Sequence, residues 1–118
     1  MRSMSILKII TDESRSFAMN SQIAGLPLVH PGDVLREDVI PDSRLTKTAF
    51  AQRLGISREA LHNILGRRSA ISPLMAHKLG KLLGTSPEMW MNLQQTYDLA
   101  LVAAEQSTAI DRVDALAA

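Results

Sequence analysis

A short stretch of the sequence, residues 57–68, holds polar side chains of the types that recognise DNA. Arg58 and Glu59 begin a segment with helical periodicity. His62 and Asn63 follow one turn later, which places them on the same face. Arginine pairs with guanine, asparagine pairs with adenine, and glutamate can accept a hydrogen bond from cytosine. The same face could instead be a solvated helix surface, so the pattern alone leaves both interpretations open.

Hydroxyl side chains and further cations extend this face toward a nucleic-acid backbone. Thr46 and Ser57 each precede an apolar-periodic segment, as helix N-caps do, and helix N-termini bind phosphate through their backbone amides. Arg67 and Arg68 follow the second segment, and we expect them to reach phosphates. The predicted DNA-contact residues are Thr46, Lys47, Ser57, Arg58, Glu59, His62, Asn63, Arg67 and Arg68.

The formal charge is distributed unevenly along the 118 residues. Between Arg44 and Lys81 there are eight arginines and lysines but one acid, Glu59, which gives this segment a charge of +7. Since the whole chain carries +1, the remaining residues carry −6. A basic segment in a nearly neutral protein indicates contact with a polyanion, although a solvated helical surface would have the same composition.

Other chemistries find little support in the sequence. The chain has no cysteine, and its histidines, at positions 30, 62 and 77, lack the i, i+4 spacing of metal-ligand pairs. Neither a G-x-S-x-G nucleophile elbow nor a phosphate-binding glycine loop is present. The acidic residues of segment 33–38 have no acidic cluster elsewhere to pair with, and we interpret them as a solvated face. We therefore expect no enzymatic activity, catalytic residue, metal or cofactor.

The composition favours a protein of a reducing compartment. Hydrophobic residues make up 46% of the chain and charged residues 21%, which is ordinary for a globular domain. The absence of cysteine fits the cytoplasm. No apolar run approaches the roughly 20 residues of a membrane span. We expect a cytoplasmic protein that makes no membrane contact.

The elements that position the polar face have the spacing of a helix-turn-helix. Helices are predicted over residues 47–54 and 58–65, joined at Gly55, where a left-handed residue ends a helix without a Cβ penalty. Ala51 is expected where the two helices cross closely. The small core that fixes the helix angle is predicted to contain Ile56, Leu61 and Ile64.

Further helices are predicted on both sides of this pair. The segment HPGDVLREDVI predicts a first helix that Pro41 stops. Ser72–Pro73 and Ser86–Pro87 each begin a helix, with serine as the cap and proline at the first helical position. The first of these two helices is expected to end at Gly84 and the second near Glu105. The predicted inward residues are Leu74 or Met75, Leu79, Leu82 and Leu83 on the first helix, and Trp90 and Leu93 on the second. Tyr97 and Leu101 continue the apolar stripe of the second helix.

The domain organisation follows from these elements. Residues 1–22 are interpreted as an N-terminal extension of uncertain order, in which SILKII could form a short strand. Residues 23–105 are expected to form the helix-turn-helix and dimerisation domain. Residues 106–118 are expected to be a tail or a weak helix that uses Ile110, Val113 and Leu116.

Three motifs outside the helix-turn-helix make the chain similar to a known family. They are His30–Gly32, Ile71–Pro73 and W-x-x-L-Q-x-x-Y-D-L, which runs from Trp90 to Leu99. Together with the helix-turn-helix they resemble the HigA-type antitoxins of bacterial toxin–antitoxin operons, in the lambda-repressor-like (Xre) class. The resemblance covers about residues 30–101. It implies an all-α fold, a five-helix lambda-repressor-like DNA-binding domain, here with an additional N-terminal extension.

The resemblance also implies partners. HigA-type antitoxins form homodimers on a palindromic operator in their own promoter, and they hold a HigB-type mRNA endonuclease toxin inactive. The resemblance places the DNA-reading positions at Ser57–Glu59, His62 and Asn63, and the dimer contact in the last long helix. The residues predicted to face a second copy are Leu99, Leu101 and Val102.

Two alternatives remain open at the level of sequence. The chain could be a stand-alone Xre-type repressor without a toxin, which would differ in gene neighbourhood and co-purifying partner but not in DNA chemistry. It could also be a helical adaptor whose basic face binds an acidic protein, which would be indicated by a failure to bind promoter DNA at low salt.

Overall fold

The computed structural model describes residues 28–116, and this range is helical without strands. The all-α prediction is therefore confirmed for the described part, where a short sixth helix follows the predicted five. The predicted extension of residues 1–22, with its candidate strand, lies outside the described residues. The helices are α1 (Pro31–Val34, a π-helical turn Leu35–Val39, and Ile40–Ser43), α2 (Lys47–Leu54), α3 (Arg58–Leu65), α4 (Pro73–Leu83), α5 (Pro87–Glu105) and α6 (Ser107–Asp111).

Serine and threonine side chains begin α2 to α5 at the predicted residues. The Thr46 hydroxyl accepts the backbone N–H three residues ahead at 3.0 Å, and the Ser57 hydroxyl does the same at 2.9 Å. Ser72 and Ser86 cap α4 and α5 in the same way, and each is followed by a proline whose missing N–H costs nothing there. The starts of these four helices were predictable because each depends on neighbouring residues alone.

Helix α1 does not stop at Pro41, so this prediction was wrong. The helix continues to Ser43 because residues Leu35–Val39 form a π-helical turn, whose N–H groups donate to carbonyls five residues back. A proline ring clashes with the preceding turn of a regular α-helix, and the wider π-helical turn leaves room for it. Pro41 lies at the start of the next α-helical turn, where the missing backbone N–H of proline is tolerated. The helix ends at Arg44, which has a left-handed φ of 65°.

One hydrophobic core joins α1 to α5. Ala51, Leu61 and Ile64, which the sequence predicts at the corner of α2 and α3, are buried in it, and the predicted Ile56 packs against it in a partly buried position. On α4 the structure chooses between the two candidates of the first turn, because Leu74 is 64% exposed whereas Met75 packs against the core. The largest fully buried side chains include Trp90, Phe50, Leu35, Leu61 and Leu79.

Candidate nucleic-acid interface

Helices α2 and α3 form the predicted corner. Gly55 ends α2 with φ +73°, in the left-handed region, and the N–H of Ile56 donates to the Ala51 carbonyl at 3.0 Å. Ala51 is 1% exposed, so a larger side chain at this position would have to displace its neighbours. Leu61 contributes to the same core from α3. The turn hydrogen bond and the shared core therefore hold α3 against α2.

The outer face of α3 carries the polar residues that the sequence assigned to DNA. Arg58, Glu59 and His62 are exposed and line an open cleft of about 460 Å³, to which α2 contributes Lys47. Leu61 and Leu65 line the same cleft from α3. The cleft thus combines two cations, a carboxylate and an imidazole, which offer hydrogen-bond donors and acceptors to base edges or phosphates.

The N-termini of α2 and α3 are also open to solvent. Thr46 and Lys47 are exposed at the start of α2, and Ser57 is exposed at the start of α3. The first backbone N–H groups of a helix carry partial positive charge, which favours an anion at this end. The structure therefore brings two helix N-termini to the corner that also holds the polar cleft.

The guanidinium of Arg67, the first arginine after α3, makes hydrogen bonds to other residues of the protein. Its Nε donates to Asp33 Oδ1 at 3.1 Å, and its Nη2 donates to Asp33 Oδ2 at 2.6 Å. The same Nη2 donates to the Leu28 carbonyl at 3.3 Å, and the guanidinium carbon lies 5.6 Å from the centre of the Tyr97 ring. The sequence placed Arg67 among the phosphate contacts, whereas in the structure its guanidinium faces a carboxylate of α1.

Arg68 is exposed and contacts the last turn of α3. Its Nε donates to Asn63 Oδ1 at 3.3 Å, and its backbone N–H donates to the Asn63 carbonyl at 2.8 Å. A guanidinium has hydrogen-bond donors only, so the oxygen of the Asn63 amide must face it. This arrangement leaves the N–H groups of the half-buried Asn63 amide for another acceptor.

A polar cluster that the sequence did not predict lies at the start of α1. His30 Nδ1 accepts the N–H of Gly32 at 2.9 Å, and Asp33 Oδ2 accepts the N–H of His30 at 3.0 Å, which together form a capping box. The His30 ring is buried and meets the Tyr97 ring edge-on at 4.9 Å. Farther along α1, Arg36 donates to a backbone carbonyl in the last turn of α3. The sequence signal for the cap was the order His-Pro-Gly-Asp, with proline at the first helical position and an acid at the third.

The environment shifts the pKa values of two residues in this cluster. Burial lowers the pKa of His30 below 6.5, although the charge of Asp33 opposes the shift. Burial raises the pKa of Asp33, but hydrogen bonds from Arg67 and from the backbone of His30 outweigh it, and the net shift is downward from 3.8. At neutral pH the imidazole is therefore neutral, with Nδ1 free to accept the N–H of Gly32, and the carboxylate is ionised.

The C-terminal half of α5 leaves apolar side chains uncovered. Leu99 is 64% exposed and Val102 is 44% exposed, while Leu101 is half-buried. Ile110 in α6 is 48% exposed, and Val113 beyond it is 76% exposed. The predicted dimer residues therefore lie on an apolar surface that the rest of the described chain leaves partly exposed to solvent.

Two features are absent from the part of the chain that the structure describes. No three histidine, cysteine, aspartate or glutamate side chains there are grouped closely enough to hold a metal ion. No helix in the same range is sufficiently long and apolar to cross a membrane. Within residues 28–116, no buried side-chain nitrogen or oxygen atom lacks a hydrogen-bond partner either.

Known proteins are similar to this chain in both sequence and fold. No protein-family model matches the chain. The chain is 33% identical over 83 residues to YddM, an uncharacterised helix-turn-helix transcriptional regulator of Escherichia coli, across 70% of this chain and 85% of the relative. It is 31% identical over 71 residues to antitoxin HigA-1 of Vibrio cholerae, across 60% of this chain and 67% of the relative. The solved structure of Pseudomonas aeruginosa antitoxin HigA with the higBA promoter matches with a TM-score of 0.72 and 32% identity, over 77% of this chain and 100% of that chain.

The corner of α2 and α3, together with these matches, makes this a helix-turn-helix protein of the lambda-repressor-like class. Within that class, the chain belongs to the HigA-type antitoxin family. The predicted resemblance to this family is thereby confirmed.

Proposed function

We propose that this protein is a sequence-specific DNA-binding antitoxin that represses its own operon and neutralises a HigB-type mRNA endonuclease by direct binding. The observation that carries the DNA-binding half is the exposed polar cleft of α3, with the N-termini of α2 and α3 beside it. The HigA antitoxin of Pseudomonas aeruginosa, which shares this fold, is described with the higBA promoter. The proposed role is one of binding rather than catalysis, exercised on DNA in the cytoplasm.

The proposed DNA interface divides into base-reading and phosphate-binding residues. Asn63, with its N–H groups available, and Arg58 are positioned on the face of α3 that would enter the major groove. Base recognition is assigned to Arg58, Glu59, His62 and Asn63. Phosphate contacts are assigned to Thr46, Lys47, Ser57 and Arg68.

The proposed homodimer uses the exposed apolar surface of α5. Leu99, Leu101 and Val102 would lose water-exposed apolar area against the same surface of a second copy. Two related recognition helices could then contact half-sites about one helical turn of DNA apart, roughly 34 Å. Dimerisation would convert one weak contact per copy into specific binding to a palindromic operator.

The experiment that tests DNA binding is a footprint of the purified protein on its own promoter at several salt concentrations. The expected result is a protected palindrome, with affinity for promoter DNA well above that for random DNA of the same length. Equal affinity for both sequences would contradict sequence-specific repression. Binding to neither at low salt would contradict DNA binding altogether and would favour the adaptor interpretation.

The toxin partner requires a separate experiment. Co-expression with the product of the adjacent gene, followed by purification through a tag on this chain, should recover a small second protein in a fixed ratio. The released second protein should cleave mRNA on translating ribosomes, and adding this chain should stop the cleavage.

A stand-alone repressor is the second candidate, because the relatives include an uncharacterised regulator as well as an antitoxin. An adjacent gene that encodes no binding partner, combined with an intact footprint, would favour it.

A further inference from the structure

Arg67 has a backbone conformation that residues with side chains rarely adopt. Its φ is 65°, in the left-handed region that favours glycine. Non-glycine residues remain there when surrounding contacts hold them. Here the contacts are the paired hydrogen bonds to Asp33, a third to the Leu28 carbonyl and the approach to the Tyr97 ring. Arg44 has the same φ at the end of α1, so the left-handed backbone is a feature of the helix end, and the side-chain contacts are what distinguish Arg67.

Two other residues of α1, Gly32 and Arg36, contact the same end of α3. A Cβ atom added to Gly32 would lie 2.0 Å from the Ile64 carbonyl oxygen, so α1 and α3 touch there through their backbones. Arg36 donates to the carbonyl of Leu65. The end of α3 is therefore held against α1 by three contacts. Arg67 pairs with Asp33, Arg36 donates to the Leu65 carbonyl, and the two backbones touch at Gly32.

The neighbouring arginine is held differently. Arg68 makes one side-chain hydrogen bond, at 3.3 Å, to the neutral amide of Asn63, and it has no ion pair among residues 28–116. Arg67 is also exposed, with 43% of its side chain accessible, but it is paired with a carboxylate whose side chain is only 15% accessible. Moving Arg67 to a phosphate would leave the Asp33 carboxylate without its strongest partner.

From these contacts we infer that Arg67 is a positioning residue, which fixes the C-terminal end of the recognition helix against Asp33 of α1 and does not bind DNA phosphate. This inference rests on the proposed function, in that it assigns a role within the proposed DNA interface. It predicts that Arg67 contributes to operator affinity through the orientation of α3, whereas Arg68 contributes through charge.

The test compares Arg67→Gly, Arg68→Gly and Asp33→Asn by measuring operator and random-DNA affinity over a range of salt concentrations. Glycine at position 67 suits the left-handed backbone, so this variant removes the side chain and keeps the turn. Arg67→Gly should lower operator affinity on the order of tenfold with an unchanged salt slope and unchanged random-DNA affinity. Arg68→Gly should reduce the salt slope by about one and weaken both DNAs. Asp33→Asn should resemble Arg67→Gly, and the double variant should lose no more than either single variant.

A second measurement follows the helix without DNA. Amide hydrogen exchange in the last turn of α3 should be faster in Arg67→Gly and Asp33→Asn than in the wild type or Arg68→Gly. A salt slope that falls by about one in Arg67→Gly would overturn the inference, as would unchanged exchange in both variants. Wild-type protein that binds neither DNA would instead contradict the proposed function itself, and the role of Arg67 with it.

Discussion

At the scale of single residues, the three motifs outside the helix-turn-helix supply hydrogen bonds within the fold. His30 caps α1, and the Trp90 indole N–H donates to the Thr85 hydroxyl at 2.8 Å. Gln94 Oε1 accepts the buried N–H of Ile71 at 2.7 Å, which satisfies the loop before α4. The hydrogen bonds of His30 and Gln94 are buried and that of Trp90 is partly buried, and substitution would leave polar atoms without partners.

Asn63 provides the most direct test of base recognition. Replacing Asn63 with alanine should weaken operator binding by about 1–3 kcal/mol and relax sequence preference at one position of the operator, because one base-edge contact is lost. Affinity for random DNA should change much less. Gln95→Ala, which truncates an exposed amide on α5, is the matched control and should keep the wild-type sequence preference. Equal losses on operator and random DNA would remove Asn63 from the base-reading residues.

His30 should make stability depend on pH. The unfolded chain binds a proton at this side chain near pH 6.5, whereas the folded chain binds it only at lower pH because burial disfavours the charged ring. Stability should therefore be complete above pH 6.5 and fall as the pH decreases below that value. The depressed pKa of Asp33 adds a separate loss only below about pH 3.8.

The midpoint of urea unfolding measured between pH 7.5 and 5 checks this expectation. His30→Asn keeps a capping acceptor but cannot titrate, so its midpoint should vary less with pH than that of the wild type. His77→Asn, at an exposed position of α4, should keep the wild-type dependence. Identical pH profiles for the wild type and His30→Asn would show that another group is responsible.

At the scale of elements, the sequence predicted what depends on neighbours and missed what depends on distant contacts. The caps at Thr46 and Ser57 and the left-handed Gly55 are local, and all three were predicted correctly. Asp33 and Arg67 are 34 positions apart, so no sequence pattern showed their pairing. Pro41 was misjudged because the rule that proline ends a helix assumes regular α-helical geometry, and the π-helical turn before it departs from that geometry.

Gly32 should be required for the packing of α1 on α3. Gly32→Ala places a Cβ 2.0 Å from the backbone oxygen of Ile64, and backbone cannot rotate away as a side chain can. We expect a loss of about 1–3 kcal/mol in the free energy of unfolding, together with weaker operator binding, because α3 must shift. Chemical denaturation of purified variants measures the first effect.

Gly66→Ala is the matched control for Gly32→Ala. The three atoms nearest to its Cβ would all belong to the flexible guanidinium of Arg68, at 3.2 Å or more, and its backbone is not left-handed. This variant should unfold within about 0.5 kcal/mol of the wild type. Similar stabilities for Gly32→Ala and Gly66→Ala would contradict the close backbone packing of the two helices.

At the scale of the whole molecule, charge and apolar surface are separated along the chain. The basic segment 44–81 contains both helices of the proposed DNA interface, whereas the exposed apolar side chains of α5 and α6 lie in the acidic remainder. A polyanion would be attracted to the first region and repelled by the second. DNA and a second protein chain can therefore be bound through different surfaces of one small domain.

This separation makes the proposed dimer testable without damage to the DNA-binding face. Leu99→Glu combined with Val102→Glu introduces charges into the apolar surface of α5, where both residues are already exposed, so the monomer should remain folded. Sedimentation should show a shift from dimer to monomer, and binding to a palindromic operator should weaken about tenfold or more, while binding to a single half-site changes little. Leu74→Glu is the control for sedimentation, because Leu74 on α4 is exposed to the same 64% as Leu99. A double variant that still sediments as a dimer would place the interface elsewhere on the molecule.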